Sequence, residues 1–259
     1  MSFIQTVLLG ALAGFTIYLG LPLGRIKQIS AGARTFLSMT SAGILLFILF
    51  DVLSNLSEPI ESAITENKNY TQFLILLGIF VLGFGLGLLG LIAFDQRFMR
   101  SRPGVTQPVN PTRLALMIAT GIGLHNFSEG LAIGQSAGRG ELAFAALLII
   151  GFGLHNATEG FGIVGPLVGE NRPSWGFIGL AGLIGGGPTF LGTIVGYYFL
   201  SDAMFVLFLS LAAGALVYII GELFNLNRRP QNKFPAGWGL FIGFLIGYFT
   251  DMILTIAGV

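Results

Sequence analysis

The 259-residue chain has no cysteine, two histidines and few charges, with 13 Lys and Arg against 12 Asp and Glu, together 10% of the residues. An average soluble domain carries about 25% charge. The missing cysteine excludes disulfides, iron–sulfur clusters and thiolate metal sites, and it leaves the redox compartment open. A net charge of +1 excludes the electrostatic footprint of a nucleic-acid binder. Apolar residues fill the sequence instead: 54% are hydrophobic, 39 are glycine, and the mean hydropathy is +0.83. A water-facing surface cannot be assembled from that composition. A soluble domain and a disordered chain are both excluded, which leaves a polytopic membrane protein.

Crossing a bilayer core takes roughly 20 mostly apolar residues per helix. Eight stretches qualify: 3–22, 34–55, 71–94, 112–135, 142–165, 174–200, 204–225 and 236–257. Their apolar runs are continuous rather than alternating, and each is too long for a strand. The fold class expected is therefore all-α, a single transmembrane domain over 1–259 with eight helices. Asn110-Pro111-Thr112 and Arg172-Pro173-Ser174 read as helix starts, Ser201-Asp202 opens the seventh span, and Pro22 closes the first. Glycines four apart, at Gly10 and Gly14, Gly192 and Gly196, and Gly239, Gly243 and Gly247, suit close helix packing in lipid.

Basic residues set the orientation. Arg25, Lys27, Arg34, Arg97, Arg100, Arg102, Arg113, Arg172, Arg228, Arg229 and Lys233 fall on one side of the eight spans, and only Lys68 and Arg139 on the other. The basic side is cytosolic, so both termini are expected outside the cytosol, in the cell (inner) membrane. The segment 95–111, with three prolines and several arginines, reads as a cytosolic linker. Met1-Ser2-Phe3 offers no basic n-region and reads as the start of an uncleaved first helix.

Both histidines lie in one repeated motif. Gly121-Ile122-Gly123-Leu124-His125-Asn126-Phe127-Ser128-Glu129-Gly130 is followed, thirty residues on, by Gly151-Phe152-Gly153-Leu154-His155-Asn156-Ala157-Thr158-Glu159-Gly160. Residues four apart on a helix share a face, about 6 Å apart along the axis. Each helix thus offers one imidazole and one carboxylate on one side. Two neutral nitrogens and two anionic oxygens match a divalent first-row metal in ligand type and in charge. An ionisable group at mid-membrane costs at least ~2.5–3.5 kcal/mol on insertion scales, and no Lys or Arg near the middle of a span offsets these glutamates. A bound cation would, and protons would compete with it. Asn126 and Asn156 are either further ligands or hydrogen-bonding contacts between helices.

The doubled H-N-x-[ST]-E-G resembles the paired fourth and fifth helices of the ZIP family of divalent-metal transporters, whose motif there is H-N-x-P-E-G. The stretch Ala212–Leu223, with Tyr218 and Glu222, is similar to that family's seventh helix, and Ser41–Leu45 with Phe50-Asp51 to its second. The resemblance implies transport of zinc or another divalent metal toward the cytosol by an elevator-like movement. It also implies a primary metal site at His125, Glu129, His155 and Glu159, with Asn126 and Asn156 facing a second metal position. Three departures stand out. Ser128 and Thr158 replace the motif's proline; a hydroxyl bonded to the carbonyl four residues back bends a helix mildly. Gly185-Gly186-Gly187-Pro188 stands where many bacterial relatives carry a glutamate before a proline, which favours one metal per site. The inner loop has no histidine, so a metal-sensing loop is unsupported.

Asp51, ending the second span outside, and Glu222, ending the seventh inside, are either pathway residues, together with Ser128 and Thr158, or ordinary interfacial carboxylates. Asp251 lies deeper, in the eighth span. Tyr197, Tyr198, Tyr218, Tyr248, Trp175 and Trp238 read as an aromatic belt. The expected cargo is zinc, with iron, manganese, cobalt and cadmium also admitted by the donor set, and no prosthetic group is expected. The expected partners are the metal ion, the lipid bilayer and a second copy of the chain, with no nucleic acid. No enzyme is expected: H-x-x-x-E lacks the H-E-x-x-H spacing of a metallohydrolase, and no further catalytic acid is evident. A b-type haem protein with His125 and His155 as axial ligands leaves Glu129 and Glu159 unexplained. A metal-selective channel is the closer alternative.

Overall fold

The structure is a computed structural model that describes residues 2–27, 29–99, 110–138, 142–169, 172–199, 201–227 and 233–257. Among these residues the α-helices are α1 (Phe3–Phe15), α2 (Ala31–Thr65), α3 (Tyr70–Phe94), α4 (Pro111–Gly138), α5 (Leu142–Val164), α6 (Trp175–Tyr198), α7 (Asp202–Leu226) and α8 (Lys233–Ala257). Among the described residues five segments are long and apolar enough to cross a membrane: Phe3–Arg25, Ala31–Thr65, Tyr70–Arg97, Trp175–Tyr198 and Asp202–Leu226. The basic residues Arg100, Arg102, Arg139, Arg228 and Arg229, and most of the 95–111 linker, lie outside the described residues.

Polar caps place the helix starts. Ser2, Ser30, Asn69, Ser174 and Ser201 each accept a backbone N–H from the first turn of the helix they precede. Asn110 Oδ1 accepts from Thr112 N at 2.9 Å, with Pro111 opening α4. At α6 the cap is Ser174, so Pro173 precedes the cap instead of filling the first helical position.

Three boundaries differ from expectation. The first α-helix ends at Phe15, and two 3-10 segments, Thr16–Leu19 and Leu21–Arg25, carry the chain on, so Pro22 lies inside a tight turn and does not end the helix. The second helix does not stop near Asp51; it runs on through Pro59 to Thr65. The run Phe50–Asn55 gives way to a polar but helix-compatible stretch, and hydropathy marks that change while the hydrogen-bonded backbone does not. The expected linker begins as helix, since Asp95–Met99 continues α3 as a π-helix, and buried Asp95 accepts a hydrogen bond from Tyr218 Oη at 2.8 Å.

Glycine decides which helices pair. A Cβ on Gly10 would run into Thr193, and one on Gly14 into the Gly186 carbonyl, so α1 lies directly on α6. Gly192 and Gly196 sit against backbone oxygens of Phe127 and Leu131, which brings α6 onto α4. Gly239 and Gly243 meet the carbonyls of Phe36 and Thr40, which brings α8 onto α2. The expected packing role of these glycines is realised as close helix contact, against backbone everywhere but at Gly10, which faces the Thr193 side chain. The core between the helices holds Leu45, Ile48, Ile118, Ile122, Leu216 and Ile219, all buried. Outward faces are apolar too: Leu74, Leu82, Leu86 and Leu89 of α3 are exposed. Helices α1, α4, α5 and α6 pack on one another, while α2 packs on α3, α7 and α8, and α3 on α7. The two groups meet through α4 against α7, and through α5 against α2 and α8.

Candidate metal centre

The doubled motif occupies the middle of α4 and α5. Helical periodicity stacks each histidine under its glutamate. His125 Nε2 lies 3.4 Å from Glu129 Oε1, and His155 Nε2 lies 3.6 Å from Glu159 Oε1. The helices then bring the two pairs together: His125 Nε2 is 3.9 Å from Glu159 Oε1, and the imidazoles stand edge to face with centroids 5.9 Å apart. Ligand-type atoms of His125, Glu129 and His155 all lie within 4.8 Å of one another. All four side chains are buried. Among the described residues neither imidazole and neither oxygen of Glu159 has a hydrogen-bond partner. Buried polar atoms are normally satisfied, so this cluster of bare nitrogens and oxygens is chemically equipped to hold a cation.

The asparagines of the motif face the neighbouring helices. Asn126 Nδ2 donates to Asn156 Oδ1 at 2.6 Å and to the Gly185 carbonyl at 3.1 Å. Asn156 Nδ2 donates to Glu129 Oε2 at 3.2 Å and to the Ala13 carbonyl at 3.3 Å. Those carbonyls of Ala13 and Gly185 belong to the site's surroundings, and the sequence offered no sign of them, because a backbone oxygen leaves no residue signature. Thr158 Oγ1 donates to the His155 carbonyl at 2.7 Å, three residues back where four was expected. Ser128 Oγ is buried with no partner among the described residues, so the two motif copies differ at this position.

Asp51 is half-buried on α2, its carboxylate held by Asn55 Nδ2 at 2.9 Å and within electrostatic range of His125. Its neighbours Phe50, Leu53 and Ser54 line a cavity of about 1030 Å³ between the C-terminal parts of α2 and α4 and the start of α7. Glu58, Glu61, Glu66 and Asp202 also line it. Glu222 lies half-buried near the far end of α7, and Asp251 is half-buried on α8. Neither is part of the His/Glu cluster.

Comparison with known proteins bears on the chain as a whole. No family model matches the chain. The zinc transporter ZupT of Shigella dysenteriae serotype 1 (strain Sd197) is 30% identical over 272 aligned positions that cover 98% of each chain. The protein of the same name from Escherichia coli O7:K1 is 30% identical over 270, again with 98% of each chain covered. Similarity of that extent, around a doubled H-N-x-x-E-G whose side chains converge in space, shows that this chain belongs to the ZIP family of divalent-metal transporters.

Proposed function

We propose that the chain carries a divalent transition-metal ion, zinc foremost, toward the cytosol through a site made by His125, Glu129, His155 and Glu159. The observation that carries this reading is the distance set. Donor atoms bound about 2.0–2.2 Å from a tetrahedral ion stand roughly 3.3–3.6 Å from each other. The nitrogen–oxygen separations here are 3.4, 3.6 and 3.9 Å. Imidazole nitrogens favour transition metals over calcium and magnesium, and the same donors admit iron, manganese, cobalt and cadmium. Asn126 Oδ1, buried without a partner among the described residues, is a further oxygen beside the quartet. With Gly185 offering only a carbonyl on the α6 side, one ion per chain is the expected load.

The membrane reading extends from the five segments above to all eight helices, with both termini outside the cytosol of the inner membrane. It rests on the eleven basic residues gathered on one side of the 13 in the chain. The large acidic cavity then opens outward, and cations collected there pass Asp51 on the way to His125. All four proposed ligands sit on α4 and α5, within the group α1, α4, α5 and α6. Movement of that group against the other would expose the site to each side in turn. A second copy of the chain and the bilayer lipid are the expected neighbours. Uptake into proteoliposomes, measured for each cation separately, tests the reading. Saturable zinc uptake is expected, and unitary currents would show a channel instead of a carrier.

A further inference from the structure

Both polar atoms of the Asn156 amide are engaged by protein groups. Its Nδ2 donates to Glu129 Oε2 at 3.2 Å and to the Ala13 carbonyl at 3.3 Å, and its Oδ1 accepts from Asn126 Nδ2 at 2.6 Å. Both groups facing Nδ2 are acceptors, and the group facing Oδ1 is a donor, so the amide cannot be turned round without losing these bonds. Asn126 continues the chain of bonds to the Gly185 carbonyl at 3.1 Å. One buried string of amides therefore joins α6, α4, α5 and α1, and it ends on one oxygen of one carboxylate. We infer that Asn156 is a positioning residue for Glu129: it holds Oε2 and so turns Oε1 toward His125 Nε2, 3.4 Å away.

This rests on the quartet being the transport site, and it assigns Asn156 a role different from that of a ligand. Carboxylates that bind metals are themselves commonly held by an outer hydrogen-bond partner, and loss of that partner costs about 10- to 100-fold in metal affinity. The carbonyls of Ala13 and Gly185 anchor the string, so the carboxylate's orientation follows the packing of α1 and α6 on the ligand helices.

Zinc titration calorimetry on the purified full chain tests this with a double-mutant cycle over Asn156→Ala and Glu129→Ala. In the parent, Asn156→Ala is expected to weaken zinc binding by roughly ten-fold or more. In the Glu129→Ala background the same change is expected to have almost no further effect, because the group through which Asn156 acts has gone. Losses that simply multiply would overturn the inference, since a ligand or a packing residue acts whether or not Glu129 is present. Asn156→Thr enters the same cycle if Asn156→Ala does not elute as a single folded species. Unchanged zinc binding in both Glu129→Ala and Glu159→Ala would instead remove the site reading itself, which is a separate result.

Discussion

His125 on α4 and Glu159 on α5 face each other across the helix pair, with Nε2 3.9 Å from Oε1. Each already has a partner four residues away on its own helix. The cross-helix contact brings two separate His–Glu pairs into one cluster.

Glu159→Ala removes the carboxylate that touches both imidazoles. Zinc uptake into proteoliposomes is expected to fall by at least about ten-fold, the size of loss seen when a metal site is disturbed even at its outer partners. Uptake equal to the parent's would refute the assignment of this residue.

Asp51→Asn removes a negative charge on the path proposed from the cavity to His125 while keeping the side chain's size. The expected change is a higher KM for zinc with little change in maximal rate, because charge on an access path raises local cation concentration without taking part in the turnover step. A fall in maximal rate at constant KM would place Asp51 in the moving machinery and not on the path.

Gly130→Ala puts a methyl group against the Thr189 carbonyl, where α4 lies on α6. Overpacking a tight contact costs about 1–3 kcal/mol, so the purified protein is expected to unfold at a lower temperature. Gly90→Ala, which meets nothing within 4 Å, is the control and is expected to leave the melting temperature unchanged or slightly raised. Equal melting of the two variants would contradict the helix pairing.

The cysteine-free sequence allows a direct test of orientation. A single cysteine introduced as Asn67→Cys, between α2 and α3, is expected to react with a membrane-impermeant maleimide added outside intact cells. Arg172→Cys, before α6, is expected to react only after permeabilisation. Labelling of both from outside would break the eight-span arrangement.

Much of the fold is legible because bilayer-spanning sequence is simple. Long apolar runs, polar caps such as Asn110 and Ser201, and glycines at spacing four mark where helices start and which faces approach neighbours. Boundaries inside a continuous helix are less legible. Hydropathy falls after Asn55, yet α2 reaches Thr65, since Ser57, Glu58, Glu61 and Ser62 continue a helix without making it apolar. The early end of α1 at Phe15 was illegible for the opposite reason: Thr16–Leu19 stays apolar while its backbone tightens, with Thr16 Oγ1 bonded to the Ala13 carbonyl at 2.6 Å.

At the candidate centre the sequence alone determined the pairs His125–Glu129 and His155–Glu159, because a helix places residues four apart on one face whatever surrounds it. Only the tertiary structure decided that the two pairs share a single space. It also decided that Asn156 is spent on Glu129, and that the carbonyls of Ala13 and Gly185 complete the surroundings. Those relations depend on how α1, α5 and α6 lie against α4, and that packing is decided by contacts between backbones that no residue spacing along one helix encodes.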